Sequence, residues 1–212
     1  WSKLLKDAGL KYEAGRKKQK KTKREAALMP KGGYAKIEAV AKRMRASLPK
    51  NAETRKDYNK LQDAWLLSFY GAHTPRLIAD VSVRKGAKNH IKKVKGGYRV
   101  RLGEHKTSKS RGATTIQLDK RLNEITGRLL KARPKFVKHE FLLCGAKGGI
   151  LSRPGLTKML KRITGAQFGR SFSTQIFRVL KASSRDSEMK MVRTYLNEMG
   201  HSLKQDKLYV AK

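Results

Sequence analysis

Acidic residues are scarce in this chain: 16 Asp and Glu stand against 52 Lys and Arg, a formal net charge of +36 over 212 residues. The few carboxylates are scattered, with no pair or triad, which excludes the clamp that a two-metal nuclease requires. A single cysteine, Cys144, excludes an internal disulfide framework and fits a reducing compartment. Set in the apolar run FLLCG, it reads as a buried structural thiol rather than a nucleophile. The five histidines, at 73, 90, 105, 139 and 201, have no ligand spacing, and His139-Glu140 has no second histidine a turn later, so a zinc motif is missing. CGAKGG and GGYR are glycine turns without the Walker spacing, and no cofactor is expected. No apolar run approaches the length that spans a bilayer.

What is present in excess is positive charge, and a field of that sign attracts phosphate polymers, so nucleic acid is the leading partner. An anionic membrane surface is the second, and it would need a basic amphipathic helix. GRKKQKKTKR (15–24) packs seven basic residues between Arg16 and Arg24 with no large apolar one, and reads as a solvated arm or linker. A chain that opens on Trp1 reads as a piece of something longer. Residues 1–30 are thus expected to be a basic arm and residues 31–212 the folded domain.

Pro30 and Gly32-Gly33 punctuate the end of the arm. Ile37, Val40, Met44 and Leu48 then recur at helical spacing, as do Tyr58, Leu61, Trp65 and Phe69, predicting two amphipathic helices. LIADVSV (77–83), HIKKV (90–94), YRVRL (98–102) and TTIQL (114–118) are short β-rich segments between glycine or lysine turns, the pattern of a small antiparallel sheet. Helical spacing returns over 118–129, 156–163, 172–180 and 189–199. Helices, one sheet and helices again define an α+β class, mostly helical.

Breaking nucleic acid without a metal needs fixed guanidinium groups to neutralise a pentacoordinate phosphorane, a nucleophile, and an acid for the leaving oxygen. Such parts occur in order. Arg76 lies in HTPRLIADV, at the end of the Trp65 helix. Lys106 lies in the turn GEHKTSKSRGATTIQL, with Lys109 as the alternative. Gln175 and Arg178 stand one turn apart in FSTQIFRVLKAS, where the apolar neighbours Ile176, Phe177, Val179 and Leu180 make an idle arginine costly. His201 and Tyr209 follow in MGHSLKQDKLYV. Taken singly, His201 reads equally as a turn cap and Tyr209 as a packing residue.

The order Arg, Lys, x-x-x-Arg, Gly-His-Ser, Tyr resembles the catalytic domain of tyrosine recombinases, the phage-integrase-like enzymes, from about residue 34 onward. TPRLIADV is similar to the first arginine motif of recombinases from virophages and eukaryotic mobile elements. HKTSKSRGATTIQL resembles the hairpin with the catalytic lysine, and YLNEMGHSLKQDKLYV the C-terminal box. Three positions depart from the family. Gln175 stands where it has histidine; glutamine can donate to a phosphate oxygen but cannot take a proton near pH 7. Ala79, followed by Asp80, stands where an acid is usual, and the step from His201 to Tyr209 is one residue short.

The resemblance implies a site-specific recombinase or integrase acting on double-stranded DNA and assembling on it, as a tetramer in this family, with neither cofactor nor membrane. Tyr209 would attack a phosphodiester to form a 3′-phosphotyrosyl link. Arg76, Arg178 and His201, with Gln175 assisting, would stabilise the phosphorane, and Lys106 would protonate the leaving 5′ oxygen. Residues 1–14 would be the end of an N-terminal core-binding domain. A type IB topoisomerase-like activity uses similar chemistry on one duplex, and a non-enzymatic basic nucleic-acid-binding protein needs only the charge.

Overall fold

Hydroxyl and carboxylate caps set where the helices start. Thr22 opens α1 (Lys23–Leu28) and Thr54 opens α3 (Arg55–Ala72), each in a reciprocal capping box, with Glu25 and Asp57 respectively. Asp119 caps α4 (Lys120–Phe136) and Ser152 caps α5 (Arg153–Phe168), which Gly169 ends at φ 66°. Between α1 and α3 lies α2 (Gly33–Ala46), a single helical turn spans Ser108–Arg111, and a last described helix, α6, runs over 174–184. The computed structural model describes Leu10 and residues 21–73, 78–104 and 108–184. The architecture is α+β, as expected, with one sheet of antiparallel strands β1 (Asn89–Val94), β2 (Gly97–Leu102) and β3 (Thr114–Gln117) in that order.

α3 is the centre of the molecule. From Leu61 to Gly71 every residue is buried, so this helix, expected to be amphipathic, is enclosed on all sides in its second half. Its polar residues there are each answered: Gln62 Oε1 accepts from Cys144 N (2.8 Å), Arg162 donates to Asp63 (2.6 Å) and Arg45 donates to Ser68 (2.6 Å). Trp65 stacks on Phe69 (5.2 Å) and donates Nε1–H to Thr126 of α4 (2.8 Å). Full burial of each such aromatic contributes about 1.5–3 kcal/mol. Helices α2, α4 and α5 pack around α3, and Phe177 of α6 closes on Tyr70 (5.3 Å) and Phe172 (5.3 Å). Cys144 is buried, as its apolar run predicted, and burial pushes its thiol up.

The sheet shows one face to the core and one to water. Ile91 pairs with Val100 and Val100 with Ile116 on the inner face, whereas Lys92, Arg99 and Gln117 form an outer row. The β1–β2 turn is seated on α4 by Asn123, which accepts from Tyr98 N (2.7 Å) and donates to Gly96 O (3.2 Å). Gly97, at φ 135°, has no alternative, since a Cβ there would lie 2.0 Å from the Asn123 amide.

Two segments differ from the sequence reading. Over its described residues, 78–83, LIADVSV is not a strand: Val81 N donates back to Ile78 O (3.3 Å) in a turn, and Ser82 makes only isolated bridges to His90 and Phe141. Ile78, Ala79, Val81 and Ser82 are all buried, so burial alone does not make this segment a strand. Lys23 and Arg24, assigned to a solvated arm, start α1 instead, and Arg170 ties that helix down by donating to Ala27 O (2.7 Å) and Met29 O (2.9 Å). The helical pattern at 189–199 and most of the arm lie outside the described residues. No helix among the described residues is long and apolar enough to cross a membrane.

Candidate active site

Of the six residues singled out from the sequence, Gln175 and Arg178 lie within the described structure; Arg76, Lys106, His201 and Tyr209 lie outside it. Gln175 and Arg178 are both exposed on α6, one turn apart, while Ile176, Phe177, Val179 and Leu180 are buried. The apolar neighbours of Arg178 therefore occupy other faces of the helix, and the guanidinium carries none of the burial cost expected from its sequence setting. Its charge reaches the core nonetheless. Burial pushes the Tyr70 phenol far up, and the Arg178 guanidinium works against that shift.

The residues that flank the other candidates are tied to one another. His73, three positions before Arg76, caps the end of α3 and lies against Phe69 (5.3 Å). Burial pushes its imidazole down; Asp119 opposes this and Lys181 reinforces it. Lys181 sits three residues after Arg178 on α6, with its ammonium 4.3 Å from the Tyr34 ring. The end of α3 and α6 are in direct contact through the rings of Tyr70 and Phe177 (5.3 Å). Among the described residues His73 Nε2 is buried without a hydrogen-bond partner.

On the other side of Arg76, Asp80 accepts from the Asn89 amide (3.1 Å) and lies 3.9 Å from Arg153 at the start of α5. Asn89 itself is buried, donates to Glu104 O (2.9 Å) and accepts from Glu104 N (2.9 Å). One side chain thus joins residue 80, four places after Arg76, to residue 104, two places before Lys106. No sequence signal distinguished Asn89, because its partners are 9 and 15 residues away. Asp80, the acid next to Ala79 where the resembled family usually has an acid, is engaged with Asn89 and Arg153. Among the described residues no three His, Cys, Asp or Glu side chains gather as a metal ion would need.

Sequence reasoning also passed over the outer face of the sheet, where Lys92, Arg99 and Arg101 are exposed. The signal was available: in YRVRL the arginines alternate with Val100 and Leu102, the period that puts them together on one face. No family model, curated protein or solved structure gives a significant match to this chain.

Proposed function

We propose that this chain is the catalytic part of a DNA breaking and rejoining enzyme of the tyrosine recombinase type. The observation that carries the reading is the set of contacts among residues flanking the candidates: Asp80 with Glu104 through Asn89, and Tyr70, near the end of α3, with Phe177 of α6 (5.3 Å). These contacts join segments that flank Arg76, Lys106 and Arg178 in sequence, positions far apart along the chain. The exposure of Gln175 and Arg178 on one side of α6 adds a guanidinium and a neutral donor that a phosphate can reach.

In this reading the Tyr209 oxygen attacks a phosphodiester and forms a P–O bond as the bond to the 5′ oxygen breaks. Lys106 gives its proton to that leaving oxygen, freeing a 5′-hydroxyl. Arg76, Arg178 and His201 neutralise the phosphorane, with Gln175 as a neutral donor. The covalent link keeps the energy of the broken bond, so a 5′-hydroxyl attacking it rejoins the strand without ATP or metal. Exchange between two duplexes requires assembly on DNA, as a tetramer in this reading.

A nicked suicide duplex that loses its short 5′-hydroxyl fragment traps the intermediate. The protein in EDTA is expected to give a covalent adduct, and Tyr209→Phe to give none. Absence of an adduct from the unmodified chain, or equal trapping by Tyr209→Phe, overturns the reading. Strand exchange between two duplexes, as opposed to relaxation of one, separates a recombinase from a topoisomerase-like enzyme.

A further inference from the structure

We infer that the outer face of the three-stranded sheet is a docking surface for the phosphate backbone of a nucleic-acid duplex, held through Lys92, Arg99 and Arg101. The inference rests on the reading above for its partner, DNA, and concerns residues outside the candidate catalytic set.

The register puts Lys92 directly opposite Arg99 and His90 opposite Arg101, and the third strand completes these rows with Gln117 and Thr115. Like charges facing each other across a ladder are destabilising, and no carboxylate stands in either row to offset them. The acids nearby are committed elsewhere: Glu104 pairs with Lys88 (2.9 Å), Glu140 with Arg84 (2.8 Å), and Asp80 with Asn89 and Arg153. His90 is buried with Nδ1 at Ala87 O (2.6 Å) and takes no part in the outer surface. Among the described residues no acid offsets this repulsion.

Arg99 is also held in place. Its Nε donates to Gln117 (3.2 Å), which in turn donates to Tyr98 O (3.2 Å), so the guanidinium is braced across two strands. Three strands span about 10 Å, and residues two apart on a strand lie about 6.7 Å apart. Three cations on so small a face match a polymer with one negative charge per about 1.7 Å of axis. A bilayer fits poorly, because among the strand residues on this face the one apolar side chain is Val94, itself partly buried, and interfacial binding needs an apolar face to insert. The same face adjoins the β2–β3 connection that bears Lys106 in sequence.

The test compares two variants of equal charge change in the full chain. One is Lys92→Gln with Arg99→Gln and Arg101→Gln; the control replaces the exposed Lys42, Lys56 and Lys60 with Gln. Affinity for a short DNA duplex of unrelated sequence is measured across a salt series. The sheet variant is expected to flatten the slope of log affinity against log salt by up to about 2.7, from about 0.9 for each phosphate no longer neutralised, and the control by less than about 1. Because the variant removes facing like charges, its thermal midpoint is expected to equal or exceed that of the parent, which separates weaker docking from a damaged fold. A slope flattened by less than about 1, or equal flattening in the control, overturns the inference. So does a variant that loses binding to phosphatidylserine vesicles while keeping its duplex slope. The adduct assay reports separately: an adduct with an unchanged slope sinks the docking surface alone, and a flattened slope without any adduct sinks the enzyme reading alone.

Discussion

Replacing Asn89 with alanine is expected to loosen the tie between the segment after α3 and the end of β2. The side chain makes three hydrogen bonds, at 3.1 Å to Asp80 and 2.9 Å to each of the backbone O and N of Glu104, from a site only 7% exposed. At about 1 kcal/mol net for each bond, the loss approaches 3 kcal/mol. Glu104 is exposed, so water can satisfy part of its backbone and bring the expected cost to about 2 kcal/mol. Urea unfolding followed by circular dichroism measures it as a lower midpoint at unchanged slope. A cost below about 0.5 kcal/mol would refute the claim that Asn89 pins these segments. Asn89→Asp sharpens the test. It keeps an acceptor for Glu104 N but turns the donor into an oxygen facing the Asp80 carboxylate. A carboxylate pair of this kind titrates higher in the folded than in the unfolded state, so the penalty is full at neutral pH and is relieved as pH falls through the folded-state value. Asn89→Asp should therefore be the less stable of the two at pH 7 and gain on it in acid.

Thr126→Val keeps the shape of a fully buried residue but removes the acceptor of Trp65 Nε1–H, and is expected to cost about 1–3 kcal/mol in urea unfolding, with Thr126→Ser milder. His73 concerns pH: burial pushes its imidazole down, so the unfolded chain takes up a proton first, from about pH 6.5 downward, and stability falls as pH falls through that window. His73→Gln should flatten that part of the curve of stability against pH, and a curve identical to the parent's would count against it.

Where burial follows a short-range period, the fold is legible in the chain. Ile37 and Val40, or Tyr58, Leu61 and Trp65, announce their helices because one face of each meets the core. The β1–β2 hairpin is equally plain from its glycine turn and the alternation of Arg99, Val100, Arg101 and Leu102. LIADVSV misleads because a β-rich composition also suits a buried turn, and only tertiary contacts of Ile78 and Val81 decide between them. The start of α1 was written in Thr22-Lys23-Arg24-Glu25, a capping-box signature set inside a basic run whose charge draws attention to itself. For the site, sequence spacing put Gln175 and Arg178 on one side of a helix, which the structure bears out, but apolar neighbours in sequence wrongly implied that Arg178 was buried. Asn89 shows the limit: its role exists only once residues 80 and 104 have been folded together.

The distribution of the scarce acids connects fold and charge. Glu25, Asp57 and Asp119 cap helices; Asp63 is buried against Arg162; Asp80, Glu104 and Glu140 pin loops through Asn89, Lys88, Arg84 and Arg153. An acid used in this way stabilises one local structure and does little to neutralise the surface at large. With 52 cations and only 16 acids, many of them so placed, and with no acid in the strand rows of Lys92, Arg99 and Arg101, the cations of the outer sheet face have little local negative charge among the described residues to offset them. Exposed charges separated by more than about 8–10 Å are screened by physiological salt, whereas Lys92 and Arg99 stand directly opposite each other in the ladder, where paired backbones lie about 4.5–5.5 Å apart. The folded chain alone bears that repulsion, and a polyanion laid across the face converts it into attraction. Guanidinium and ammonium groups are therefore what this face offers for stabilising a phosphate.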